Sequence, residues 1–130
     1  MTIHDMMQQV GLFSSGKYRR EGDRSVLVIP LPGGRKQSIF GKVDQVRGER
    51  VGLLYTNIGP LDSSVDLVRL LEINAGLRYS RIAVLRGVDI VLIGTFELDE
   101  TSIRECAPML QEMAAIADEL ERVYFDKDEG

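Results

Sequence analysis

The stretch that decides the fold is DLVRLLEINAGL, residues 66–77. Its apolar residues recur at the three- and four-residue spacing of one helix face, and two more widen that face on either side: Leu67, Leu70, Leu71 and Ala75, then Val68 and Ile73. Gly76 ends the pattern. A helix this apolar has to be covered on more than one side. We therefore predict a central helix, shielded by a sheet, a second helix or a second copy of the chain.

Runs of apolar and β-branched residues, separated by short turns, lie on both sides of this helix. The predicted strands are 17–21, 25–30, 36–46 and 50–58 before the helix, and 81–85 and 88–98 after it. Gly41 inside the third run predicts a bulge or bend. Strands joined by hairpin turns form an antiparallel sheet with helices to one side, which is the α+β class. We expect a sheet of about five strands, in the order helix, three or four strands, helix, two strands, helix.

Two further helices are predicted at the ends of the chain. The first is short, begins near a Thr2–Asp5 capping pair and ends at Gly11. The last has an apolar seam that steps by three and four residues: Ile103, Cys106, Leu110, Met113, Ala117, Leu120 and Tyr124. Pro108 interrupts this seam, which predicts a separate first turn or a kink near Ala107.

The chain of 130 residues has room for one core. We predict a single domain over residues 1–125 and a frayed charged tail at 126–130. The net charge of -4, with most of the acidic excess after residue 65, argues against nucleic-acid binding. No apolar run approaches the roughly 18 residues of a membrane span, and residues 1–11 do not resemble a secretory signal. With Cys106 as the only cysteine, we expect a cytoplasmic protein.

Residues that could carry chemistry are few and scattered. His4 is the only histidine, and no second histidine or cysteine follows at zinc-ligand spacing. The serines for which it could act as a base lie in two pairs: Ser14 and Ser15, Ser63 and Ser64. No G-x-S-x-G elbow is present. Cys106 falls on the apolar seam, which predicts a buried packing thiol. We therefore expect no enzyme, no cofactor and no metal.

Basic residues gather around one predicted hairpin, at Lys17, Arg19, Arg20 and Arg24. One interpretation is an edge strand that charge keeps from pairing with other chains. The other is a contact surface for an acidic partner. The sequence leaves both open.

The stretch LLEINAGLRYSRIAVL, residues 70–85, resembles the helix exit and following strand of the type III secretion chaperone-like fold, which includes the Tir chaperone family and YbjN-type bacterial proteins. VLIGTFELDE, residues 91–100, and the last helix continue the resemblance. The resemblance implies a small, acidic, non-catalytic and usually dimeric protein that holds a segment of a partner protein. The alternative it offers is a YbjN-type regulator of a signalling or transcription partner.

Two sets of residues follow as candidate contacts. For a homodimer interface we select apolar residues in and beside the central helix: Val65, Val68, Ile73 and Leu77. For contact with a protein or peptide client we select apolar residues of the first helix and its exit: Met6, Met7, Leu12 and Phe13. Methionine is flexible enough to fit varied partners, although most methionines at helical spacing belong to a core.

Overall fold

A computed structural model describes residues 3–13, 16–98 and 102–125. The fold is α+β, as predicted. The helices are α1 (Ile3–Phe13), α2 (Leu67–Ile73) and α3 (Ser102–Leu120), and the strands are β1 (Lys17–Glu21), β2 (Arg24–Leu31), β3 (Arg35–Val46), β4 (Glu49–Pro60), β5 (Arg81–Leu85) and β6 (Asp89–Phe96). A π-helical segment, Glu121–Phe125, extends α3. The predicted tail, 126–130, lies outside the described residues.

All neighbouring strands are antiparallel, in the order β1-β2-β3-β4-β6-β5. The sheet has six strands instead of about five, because four strands precede α2 and each of them pairs. β1 is an edge strand, as one interpretation of its charge predicted. The hairpin turns carry positive φ angles, among them Gly22 at +62° and Gly87 at +69°.

Helices α1 and α3 cover one face of the sheet. Gly41, Leu54 and Gly94 form one cross-strand row on that face. A Cβ atom on Gly41 would lie 3.2 Å from the sulfur of Met7, and one on Gly94 would lie 2.5 Å from the sulfur of Met109. Gly41 therefore makes room for α1, and the predicted bulge is wrong at this position, because pairing runs through Gly41 without a shift. The register shifts between Asn57 and Gly59 instead.

Helix α3 supplies much of the core. Its predicted seam is confirmed at five of the six positions whose side chains are described: Cys106, Leu110, Met113, Ala117 and Leu120 are buried, whereas Tyr124 is half-buried. The predicted separate first turn is wrong, because α3 runs unbroken from Ser102 through Pro108 to Leu120. A proline inside a helix costs about 3 kcal/mol or more, and burial of each large apolar side chain returns about 1.5–3 kcal/mol. Packing of the seam therefore outweighs the proline.

An ion pair fastens α3 to the sheet. Nε of Arg35 at the start of β3 donates to both carboxylate oxygens of Asp118, at 2.8 and 3.0 Å. Nε of Arg122, four residues after Asp118, lies 3.6 Å from Oδ2 of the same carboxylate. Asp118 is 8% exposed. Removing one partner of such a pair would leave a poorly hydrated charge.

The central helix is shorter and less covered than the sequence predicts. α2 spans Leu67–Ile73 and continues as a 3-10 turn, Asn74–Gly76. Of the α2 residues only Leu70 is fully buried, while Val68 is 70% and Leu71 46% exposed. The prediction of cover on more than one side is therefore wrong for the single chain. α2 packs beside β5 at the edge of the sheet, and Val68 and Leu71 lie on its exposed side.

Candidate functional site

The face of the sheet opposite α1 and α3 carries one continuous row of side chains. Six residues on six neighbouring strands are directly paired across it: Arg19, Val26, Phe40, Tyr55, Ile93 and Arg81. Successive residues of a strand point to opposite faces, so these six lie opposite the glycine row that faces the helices. An arginine stands at each end of a four-residue apolar and aromatic centre. Sequence analysis missed this row, because it depends on the register of five strand pairs.

The centre of the row is an aromatic pair that two cations hold in place. The Phe40 and Tyr55 rings stack with centroids 5.3 Å apart and planes 23° apart. The Arg24 guanidinium lies 4.3 Å from the Phe40 centroid and donates to the Tyr55 hydroxyl at 3.1 Å. The Lys42 ammonium lies 6.0 Å from the Tyr55 centroid. These contacts fix the orientation of both rings.

Arg24 is further held by Glu21. The second guanidinium nitrogen of Arg24 donates to Glu21 at 2.9 Å, and Arg19 donates to the other oxygen of the same carboxylate at 2.7 Å. The hydrogen bonds that Arg24 donates, first to Tyr55 and then to Glu21, raise the pKa of its guanidinium. Hydrogen bonds from Arg19 and Arg24 lower the pKa of Glu21. The charges at this corner therefore persist over the physiological pH range.

An open trough of about 800 Å³ is lined by Phe40, Tyr55, Ile93 and Arg81 of the row, together with Arg24 and Lys42, but not by Arg19 or Val26. Leu53, Val91 and Ile93 lie beneath it beside the aromatic pair. Leu53 and Val91 are buried, at 7% and 2% exposed, so its exposed apolar surface comes from Ile93 and the two rings. The charged residues around it are Arg24, Lys42, Arg81, Arg86, Asp44 and Asp89. A trough of this volume falls within the size range of ligand sites.

One wall of the trough comes from the loop between α2 and β5. The Glu112 carboxylate of α3 accepts hydrogen bonds from the backbone amides of Arg78 and Tyr79, at 3.0 and 2.9 Å, and from the Ser80 hydroxyl at 3.2 Å. Tyr79, which lines the trough, is thus positioned by a helix on the opposite face of the sheet.

The asparagine of the LLEINAGL motif has a structural role. The Asn74 side-chain oxygen accepts from the Ile82 amide at 2.6 Å, and its nitrogen donates to the Ile82 carbonyl at 3.3 Å. Asn74 therefore occupies the outer edge of β5 as the backbone of another strand would.

The residues selected for a homodimer interface separate into two groups. Val68 is 70% exposed, and Val65 and Ile73 are half-buried, so these three can still reach a second copy. Leu77 is 8% exposed and belongs to the core of its own chain, so its selection is wrong.

The residues selected for client contact do not form a surface. Met6 and Met7 are fully buried, because α1 turns them onto the sheet and Met7 fills the space above Gly41. Their selection is therefore wrong. The selection of Leu12 and Phe13 rests on side chains that lie outside the described residues.

His4 lies in a polar triangle that sequence analysis also missed. Its Nδ1 is 2.5 Å from the Ser25 hydroxyl, and the Tyr18 hydroxyl lies 3.2 Å from both atoms. Burial is the main cause that lowers the pKa of His4. Ser25 is fully buried, which denies a substrate access to its hydroxyl. The triangle joins α1 to β1 and β2, and its partner is none of the four serines considered from the sequence.

Cys106 is buried, and desolvation raises the pKa of its thiol to about 12. The predicted packing thiol is confirmed. Across the described residues, no three or more His, Cys, Asp or Glu side chains come close enough together to hold a metal ion. In the same part of the chain, no helix has both the length and the apolar character needed to cross a bilayer.

The fold and this face define a class of molecule: an α+β domain with a helix-covered sheet face and an opposite face that presents a cation-rimmed aromatic trough. No protein-family model matches the chain, and a search of curated proteins finds no match to it. The resemblance to type III secretion chaperones and YbjN-type proteins therefore stays a prediction.

Proposed function

We propose that this chain is a non-catalytic binding module that holds an extended segment of a partner protein on the helix-free face of its sheet. The observation that carries the proposal is the trough built on the Phe40–Tyr55 pair. Apolar and aromatic side chains form its floor, charged side chains surround it, and no described element covers it. The resemblance to secretion chaperones, which hold partner segments in extended form, supports the same function.

The trough has the length of a short strand. Its lining along β6 runs from Asp89 to Thr95, which at about 3.3 Å per residue is roughly 20 Å. An extended segment of six or seven residues would match that length. Burial of its apolar groups would contribute about 25 cal/mol per Å² before ordering costs are subtracted.

The proposed module is a cytoplasmic homodimer that associates through α2. Val68 and Leu71 support this part, because they are the most exposed large apolar residues of that helix. Leu71 replaces Leu77 among the proposed contacts. The proposed interface residues are therefore Val65, Val68, Leu71 and Ile73. A second copy would cover the side of α2 that the single chain leaves open.

The binding function is tested by selecting peptides from a random twelve-residue display library with the purified chain as bait. Selected peptides are then titrated calorimetrically against the unmodified chain, against Tyr55→Ala in the trough, and against Tyr124→Ala as a matched tyrosine outside it. Loss of a buried aromatic contact at an interface costs about 1–2 kcal/mol or more. We therefore expect at least about tenfold weaker binding to Tyr55→Ala.

Thermal unfolding of both variants provides the control for folding. Enriched peptides that bind Tyr55→Ala as tightly as the unmodified chain would show that the trough is not the site. A selection that enriches no binding peptide would contradict the function itself.

A further inference from the structure

We infer that the segment held in the trough is acidic, with carboxylates set between apolar residues. This inference rests on the proposed binding function and names the chemistry of the partner. It starts from a local reversal of charge. The chain as a whole carries -4, yet the cations at the trough outnumber the acids: Arg24, Lys42, Arg81 and Arg86 against Asp44 and Asp89.

Two of the four cations at the trough, Arg24 and Arg81, are fixed by hydrogen bonds within the chain, and of these only Arg24 is paired with a carboxylate, that of Glu21. Lys42 and Arg86 enter no ion pair with any carboxylate of the described residues. Arg81 donates to the backbone carbonyls of Leu77 and Ser80, at 2.9 and 2.6 Å, which fixes its position without cancelling its charge. A ligand carboxylate would therefore meet an already positioned cation at Arg81 and, at Lys42 and Arg86, positive charge that no carboxylate in the described part of the chain pairs with.

The spacing of these cations suits an extended segment. Arg24 and Lys42 lie beside the aromatic pair, while Arg81 lies at the β5 end of the same row and Arg86 in the β5–β6 turn. Successive side chains of an extended segment point to opposite sides. Apolar residues can then face Ile93 and the Phe40–Tyr55 pair, which are half-buried, while the intervening carboxylates reach the cations at the rim.

A single-stranded nucleic acid fits the same face less well. Bases bind proteins of that kind by stacking on free aromatic ring faces. Here Phe40 and Tyr55 stack on each other, and Arg24 and Lys42 already lie over the rings. Asp44 and Asp89 also line the trough, where they would repel a phosphate at every nucleotide. Carboxylates in a peptide can be spaced to avoid them.

The test compares fluorescein-labelled ten-residue peptides by fluorescence anisotropy. The acidic probe has three Val-Glu repeats between Gly-Ser ends, and its counterparts replace glutamate by glutamine or lysine. An oligouridylate of the same length is the nucleic-acid probe. Lys42→Glu and Arg86→Glu reverse charge at the trough. Arg47→Glu is the matched control, because Arg47 does not line the trough. Arg47 and Arg86 have similar backbones: their own φ angles are 51° and 55°, and each precedes a turn glycine.

The acidic peptide is expected to bind more tightly than both counterparts. Each charge reversal at the trough should weaken it by about fivefold, and Arg47→Glu by less than about twofold. The preference should shrink when salt rises from about 0.01 M to about 0.15 M, because the Debye length falls from about 30 Å to about 8 Å. The display-selected peptides test the binding function on its own, so their binding shows whether a failure of the acidic probe concerns only this inference.

If selected peptides bind through Tyr55 but the acidic probe has no advantage over the glutamine probe, the inference is wrong and the proposed function stands. Tighter binding of the oligouridylate, lost in Lys42→Glu, would also overturn the inference. If neither selected nor acidic peptides bind, both proposals fail.

Discussion

The side-chain amide of Asn74 pairs with the backbone of Ile82 through two hydrogen bonds, as a neighbouring strand would. This contact ties the end of α2 to the outer edge of the sheet. The loop that brings Tyr79 to the wall of the trough begins shortly after Asn74. The position of α2 beside β5, and the exposure that follows from it, depend on this pair of residues.

Replacement of Asn74 by alanine should destabilise the chain. Both Ile82 backbone groups would lose their protein partner, and each hydrogen bond contributes about 0.5–1.5 kcal/mol. We expect a loss of about 1–3 kcal/mol in the free energy of unfolding, measured by urea denaturation, and faster hydrogen exchange of the Ile82 amide. Asn57→Ala is the control, because Asn57 is exposed. Equal stability of the two variants would contradict the strand-like role of Asn74.

Gly94→Ala should destabilise the chain through Met109. The new methyl group would lie 2.5 Å from the Met109 sulfur, and overpacking of this kind costs about 1–3 kcal/mol. Gly76→Ala is the matched control, because no atom lies within 4 Å of its Cβ position. In a double-mutant cycle, Gly94→Ala should cost less when Met109 is already alanine. Strict additivity would show that the methionine does not fill the space above the glycine.

Stability should fall as the pH drops below about 6.5, in part through His4. Burial lowers the pKa of His4 from 6.5, with Arg20 also lowering it and Asp5 and Asp23 raising it. The unfolded chain therefore binds more protons than the folded chain between the two pKa values, and stability is lost as pH falls through that window. Urea midpoints between about pH 7 and pH 5 measure the effect.

His4→Gln keeps a polar side chain at this position without a titrating ring, so its urea midpoint should change less over the same pH range. The difference between the two proteins isolates the part of the pH dependence that requires His4. Identical pH dependence in the two would show that His4 plays no part.

Val68→Asp combined with Leu71→Asp should convert a dimer to a monomer. The two side chains are 70% and 46% exposed in the single chain, so the change should leave the fold intact while it places charge in the proposed interface. Sedimentation equilibrium at micromolar concentration measures the mass. Val88→Asp is the control, at a residue that is 58% exposed in the β5–β6 turn. A monomeric unmodified chain would refute the dimer.

Local patterns in the sequence are sufficient for much of the fold. β5 has the predicted bounds because the pattern RIAVL followed by Arg86-Gly87 is decided within a few residues. The seam of α3 is equally local, since helical spacing alone places Leu110 and Met113 on one face.

The misplaced residues depend on contacts between distant parts of the chain. Met7 is a core residue because Gly41, which follows it by 34 positions in the sequence, leaves a space on the sheet. The Phe40–Tyr55 pair follows from strand register, and register cannot be read from either strand alone. α2 is exposed because it lies at an edge of the sheet, a position that its own apolar pattern does not specify.

The pairing of Arg35 with Asp118 spans 83 positions of the chain, and this separation has a consequence for biosynthesis. The last strand ends at Phe96 and α3 ends 24 residues later at Leu120. At a synthesis rate of roughly 5–20 residues per second, all six strands are complete about 1–5 s before the helix that covers them. During that interval the apolar face of the sheet that packs against α3 is exposed to proteases and to association with other chains. A message truncated before α3 would therefore yield an insoluble or rapidly degraded product.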